Sequence, residues 1–170
     1  MSMDFENADF TDAATLRGRD WPTLRQFCVI LENRVGALNE LMRHLERHDL
    51  RVIALSIVDT IDVAIARVML DQVERARELF EFSGFTFFEN DVLGVQLPEN
   101  SKPFVSVFSA LLQAELNVNY MYPLLYRRGG HSAIAIHVDD FDAAANILRS
   151  RDFTLISEND LSNDDEFFGG

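Results

Sequence analysis

Two hydrophobic periods alternate along the chain, and the switches between them mark out its elements. Residues 24–31 end in the apolar run Phe27-Cys28-Val29-Ile30-Leu31, which predicts a strand buried on both faces. Leu38, Leu41, Met42 and Leu45 then recur at helical spacing and predict a helix to about residue 49. Residues 52–58 predict a second strand, with Ile53, Leu55 and Ile57 on one face and Val52, Ala54, Ser56 and Val58 on the other. Asp59-Thr60-Ile61-Asp62 turns the chain, and residues 63–70 return as a third strand, so the pair reads as a hairpin. Val73, Ala76, Leu79 and Phe80 predict a helix over residues 72–83, closed by Gly84, with a short strand at residues 85–88 after it. The order is strand, helix, strand, strand, helix, strand.

The same order then recurs. Residues 92–97 predict a strand, the segment Pro98-Glu99-Asn100-Ser101 a loop, and Pro103 the first turn of a helix carrying Phe104, Val107, Phe108, Leu111 and Leu112. Residues 118–126 predict a strand that Pro123 confines to an edge or a bulge, and Gly129-Gly130 a turn. A strand over residues 132–138, a helix over 141–150 and a last strand over 153–156 complete the copy. Leu50-Arg51-Val52 aligns with Leu116-Asn117-Val118, Ala64-Ile65-Ala66 with Ala133-Ile134-Ala135, and Phe85-Thr86 with Phe153-Thr154. The offset between copies stays between 66 and 69 positions, so the chain reads as two copies of one module joined near Asn90-Asp91. The expected fold is α+β: two ferredoxin-like βαββαβ modules in tandem, with antiparallel sheets and helices on one face. The expected divisions are an N-terminal arm at residues 1–22, modules at 23–90 and 91–161, and an acidic tail at 162–170.

Charge narrows the function classes. Fifteen basic residues against 28 acidic give a formal charge of −13, which disfavours a nucleic-acid partner. No apolar run is long enough for a membrane span and no signal-peptide layout opens the chain, so a cytoplasmic setting is expected. Cys28 is the single cysteine and lies in an apolar strand, where a small buried hydrophobe is expected rather than a nucleophile.

The loop Glu32-Asn33-Arg34-Val35-Gly36-Ala37-Leu38 carries the first strand into the first helix. Asn33 is suited to capping, and Gly36 to a positive φ and the close approach of another group. Free amides at a helix N-terminus suit a small carboxylate.

This loop resembles the signature loop of ACT domains, small regulatory modules that bind amino acids. It is especially similar to the serine-sensing regulatory domain of 3-phosphoglycerate dehydrogenase, where a similar Glu-Asn-Arg-Pro-Gly run opens the first helix; here Val35 replaces the proline. Residues 24–161 resemble bacterial stand-alone proteins made of two ACT domains, as does the strand Asn117-Val118-Asn119-Tyr120-Met121-Tyr122. The resemblance implies an effector between one copy's strand-helix loop and the other copy's second strand. It places a free amino acid between Asn33, Arg34, Val35, Gly36 and Ala37 on one side and Asn117 on the other, with Tyr120 and Tyr122 as possible walls. The reciprocal pocket would pair Arg51 with Pro98-Glu99-Asn100-Ser101, which lacks the glycine. The implied protein is regulatory and non-catalytic, needs no cofactor, and has a metabolic enzyme as partner; a homodimer is expected because the strands are apolar on both faces while helices cover only one face in this fold.

Catalytic patterns are weak by comparison. His44 and His48 have a metal-ligating spacing on one helix but no evident third ligand. A metal-dependent vicinal-oxygen-chelate enzyme would need His and Glu ligands on strands of both modules, and only His137 is well placed. Asp139, Asp140 and Asp142 read as a helix start and cap. The remaining alternative is a ligand-free scaffold that docks on an enzyme through faces rich in small residues.

Overall fold

The computed structural model describes residues 21–125, 127 and 129–162, so the expected arm at residues 1–22 and the acidic tail lie almost wholly outside the described residues. Each periodicity of the sequence becomes an element: β1 (Leu24–Glu32), α1 (Ala37–Arg47), β2 (Val52–Asp59), β3 (Val63–Leu70), α2 (Val73–Ser83), β4 (Thr86–Gln96), α3 (Pro103–Gln113), β5 (Val118–Pro123), β6 (Ala133–Val138), α4 (Phe141–Ser150), β7 (Leu155–Ile156) and α5 (Glu158–Ser162). Gly84 closes α2 at a φ of 72°, the left-handed conformation a C-capping glycine adopts freely. Asp140 caps α4 by accepting a hydrogen bond from the Ala143 amide at 2.9 Å.

All strand pairs are antiparallel. The first module pairs its strands in the order β2-β3-β1-β4, and the second in the order β5-β6-β4-β7. This is the ferredoxin-like order in both copies. One strand therefore belongs to both sheets. Residues 86–92 of β4 pair with β1, and residues 93–96 pair with β6. The sequence suggests a break here, because Glu89-Asn90-Asp91 interrupts the apolar run. The break does not occur, because the polar stretch is answered across the ladder. Arg25 lies opposite Asp91 and Gln26 opposite Asn90, with the Arg25 guanidinium 3.7 Å from Asp91 and 4.0 Å from Glu89.

Each sheet buries one face under its own pair of helices. Phe27, Val29, Leu41, Leu45, Val68, Ala76 and Phe80 form the first such core. Leu93, Val95, Leu111, Ile134, Ile136, Ala144 and Leu148 form the second. The other faces of the two sheets meet each other. Leu24, Ile53, Ala54, Met69 and Val92 from the first module pack with Tyr122, Leu124, Ala133, Ala135 and Ile156 from the second. Of the small residues read in the sequence as permitting close sheet packing, Ala54, Ala133 and Ala135 lie in this layer, whereas Ala64 and Ala66 face the helix-covered core of the first module. The sheets' open faces thus cover each other within one chain. The exposed-face reason for expecting a homodimer is removed by this packing.

Gly94 sits tightly between Leu24 of β1 and its ladder partner Ile156 of β7. A Cβ there would lie 2.7 Å from Leu24 Cδ1 and 3.0 Å from Ile156 Cβ. Gly94→Ala is expected to lower stability by about 2 kcal/mol through overpacking. Urea denaturation would show this as a lower midpoint at unchanged slope.

Candidate functional site

The strand-helix loop is held by its neighbours, though not as its sequence suggests. Gly36 itself is the N-cap of α1, at a φ of 91°, and no side chain caps the helix. Asn33 was expected in that role. Its side-chain amide instead donates to Asp59 at 2.9 Å and to the Thr60 carbonyl at 3.2 Å, tying the loop to the turn between β2 and β3. The geometric reason is distance along the chain, since the helix starts three residues beyond Asn33 and the turn lies alongside. Arg34 is bound on both sides, 3.1 Å from Glu32 and 2.6 Å from Glu40. These hydrogen bonds hold its guanidinium pKa up and that of Glu40 down. The Ala37 amide is taken by the Arg34 carbonyl at 3.3 Å, whereas those of Val35 and Gly36 find no acceptor among the described residues. Asn33, Arg34, Val35 and Gly36 are exposed and Ala37 is buried.

The facing residues come from β5, an edge strand with a register shift between Val118 and Tyr120. Asn117 donates to Asn119 at 3.0 Å, and the Asn119 amide nitrogen reaches His137 Nδ1 at 3.0 Å and Asp139 at 2.8 Å. No hydrogen bond of Asn33 or Asn117 crosses between modules among the described residues. The two residues nevertheless lie toward the same end of the inter-sheet layer. The Leu125 amide donates to the Ile53 carbonyl at 2.8 Å, and Tyr120 meets Arg67, which pairs across from Ser56. Strand β5 therefore runs antiparallel to β2, so Asn117 points toward the Asp59 end, where Asn33 is anchored.

Between these sheets lies a polar cluster that the apolar pattern of β1 conceals. Gln26 is fully buried. Its amide nitrogen, with two hydrogens to give, lies 2.7 Å from Asn90 Oδ1, 2.9 Å from Tyr120 Oη and 3.2 Å from Cys28 Sγ, and its carbonyl accepts from the Tyr122 hydroxyl. Burial pushes the Tyr122 phenol and the Cys28 thiol up, keeping both protonated. Tyr120 stacks on His137 with ring centroids 4.8 Å apart, and the Arg67 guanidinium carbon sits 3.8 Å from the Tyr120 ring centre. Of the residues picked from the sequence for the amino-acid site, Tyr120 and Tyr122 join this cluster directly. Gln26, Asn90 and Arg67 were missed, and His137 was read only as a candidate metal ligand. A signal existed, since Gln26 faces Asn90 in register and both interrupt otherwise apolar strands.

The catalytic candidates find ordinary neighbours. His44 lies 2.5 Å from the Ser83 hydroxyl and its ring packs against His48 and Phe85. No group of three or more His, Cys, Asp or Glu is arranged to hold a metal among the described residues. In the reciprocal loop, the Asn100 side-chain oxygen accepts from the Lys102 amide at 2.8 Å, and Arg51 pairs with Asp71 at 3.6 Å.

Among the described residues no helix is long and apolar enough to cross a membrane. A comparison with curated proteins gives no match. Among solved structures, protein BT0572 from Bacteroides thetaiotaomicron is similar over 82% of this chain and 96% of its own, at a TM-score of 0.75 and 22% identity. The regulatory subunit of aspartate kinase from Thermus thermophilus, in a ligand-free form, is similar over 75% of this chain and 91% of its own, at 0.51 and 12%. That of Thermus flavus matches over 74% and 90%, at 0.50 and 14%. At these identities the likeness is one of fold. The family model for the ACT domain pair matches residues 22–164, and with both modules on the page in that arrangement, the chain belongs to the ACT domain pair family.

Proposed function

We propose that this ACT domain pair is a non-catalytic regulatory protein that binds a free amino acid between its two modules, where the Asn33–Ala37 loop opens toward Asn117. The observation that carries the reading is the exposed loop itself. Gly36 starts α1 in a left-handed conformation, and the amides of Val35 and Gly36 have no acceptor among the described residues. An α-carboxylate satisfies such amides at the positive end of a helix dipole. The ammonium needs oxygen acceptors, which Asn33 and Asn117 carry on side chains, and Tyr120 offers an apolar wall beside them. The regulatory subunits of aspartate kinase share this fold, which supports regulation as the role.

A binding module without chemistry passes its signal to another molecule. The apolar residues for that contact are on the outer helices, where Phe82, Phe104, Val105 and Leu112 are exposed. A metabolic enzyme or a second copy of this chain fits there.

A thermal-shift screen against the twenty amino acids tests the reading. At 100 times its dissociation constant, a specific ligand adds about 2.7 kcal/mol of stability, a shift of several degrees. One amino acid, or a small group of similar ones, is expected to raise the midpoint. No shift with any of them at 10 mM would leave the scaffold alternative standing.

A further inference from the structure

Helix α3 departs from the three other long helices of the outer layers. Arg43 on α1, Arg75 on α2 and Arg149 on α4 stand exposed, and each of these helices also carries acidic residues. Helix α3 carries no charged residue at all. Its inner face is apolar, with Val107, Ala110 and Leu111 buried in the second core. Its outer face is apolar too, with Phe104 46%, Val105 58% and Leu112 75% exposed. Phe104 stacks along Phe108 with ring centroids 6.3 Å apart. Residues 104, 108 and 112 recur at intervals of four, so they form one continuous ridge. A helix that is apolar on all sides is normally covered on all sides.

Charge says what covers it. Two chains of net charge −13 repel each other, and least across a face where neither carries charge. Among the outer helices of the described residues, α3 alone offers such a face. The ridge is also self-complementary. Two copies packed antiparallel about a two-fold axis at Phe108 set Phe104 against the partner's Leu112 and Phe108 against the partner's Phe108. The same arrangement brings Lys102, just before the helix, toward the partner's Glu115, just after it, and does so twice. Both residues are exposed. The two helix dipoles then run antiparallel, so each positive end lies by a negative one. A foreign protein meets no charge on this ridge that would select it.

We propose that α3 is the self-association surface of this chain, an isologous contact with a second copy. This narrows the apolar contact surface of the proposed function to one occupant at α3; it rests on that surface being a contact and not on amino-acid binding. The exposed Phe82 lies on α2 of the other module, outside the contact, and remains open to an enzyme.

Sedimentation equilibrium without any amino acid tests it. Wild type is expected to be mostly dimer at about 100 µM, a weak association in keeping with a contact of one helix ridge. Phe104→Asp and Leu112→Arg should each weaken the dimer at least tenfold, with thermal midpoints that show both folded. Phe104→Asp and Leu112→Arg combined in one chain should recover most of the loss, because the new charges of opposite sign face each other across the two-fold axis. Phe82→Asp, which alters the other module's helices, should leave the dimer unchanged. A monomeric wild type at that concentration, dimers equally strong in the folded single variants, or no recovery in the combined variant would overturn the proposal. Amino-acid thermal shifts retained by a monomeric Phe104→Asp would uphold the binding reading whatever the dimer does.

Discussion

Gln26→Leu is expected to destabilise the protein by about 4 kcal/mol, although leucine fills a similar volume in a strand interior. Gln26 is fully buried, and its two amide hydrogens are shared among Asn90, Tyr120 and Cys28 while its carbonyl accepts from Tyr122. Leucine removes the acceptor of the buried Tyr122 hydroxyl and the donor to Asn90. Each buried polar group left unpaired costs about 1–3 kcal/mol, and at least two are created. Because the partners lie on both sheets, the loss falls on the packing between the modules. Urea denaturation would show a lower midpoint, and Gln26→Leu with Tyr122→Phe together should recover part of the loss, since the second change removes the orphaned hydroxyl. A loss under 1 kcal/mol would mean that the cluster contributes little to joining the modules.

The second large effect is a pH dependence set by Glu158. One carboxylate oxygen accepts from the Arg25 amide at 2.9 Å, while the other is buried without a partner. Burial pushes its pKa from 4.5 to about 7, outweighing the Arg25 hydrogen bond and charge that lower it, with smaller raising contributions from nearby Asp91 and Glu74. The folded state therefore holds a proton that the unfolded state has released. Stability falls as pH rises from about 4.5 to about 7, by roughly 3 kcal/mol in all, and is flat on either side of that window for this group. Glu158→Gln keeps an acceptor for the Arg25 amide and removes the charge. The variant should match wild type at pH 4 and exceed it by roughly 3 kcal/mol at pH 8. Urea midpoints of both proteins at pH 4, 6 and 8 check this; parallel curves would contradict it.

The fold was legible because its signals are local. Gly36 and Gly84 mark a helix start and a helix end by the positive φ they adopt, Asp140 marks a start by its cap, and Pro103 sits in a first helical turn. Pro123 falls on edge strand β5, where a missing amide leaves no ladder bond unmade. The repeat added what no single window could, namely that both halves close in the same strand order. Three features escaped the sequence for one physical reason: they depend on pairing between distant segments. Glu89-Asn90-Asp91 reads as a break until Arg25 and Gln26 are set across from it. Ala54, Ala133 and Ala135 read as a face awaiting another molecule until the second module is folded onto the first. Asn33 reads as a cap until the turn at Asp59 and Thr60 is brought alongside.

The proposed site was legible as a loop and not as a pocket. The glycine at the start of α1 and the asparagine at the start of β5 are sequence features. That Asn117 leans on Asn119, and through it on His137, follows only from the fold.

The central claim is that an amino acid binds between the modules at the Asn33–Ala37 loop and Asn117. Titration calorimetry of wild type and Asn117→Ala with the amino acid that gives the largest thermal shift tests it most directly. The account predicts one site per chain in wild type and at least tenfold weaker binding in Asn117→Ala, with the variant's thermal midpoint near that of wild type because Asn117 is exposed and, among the described residues, its side chain bonds only to Asn119. Equal affinity in the two proteins would contradict it.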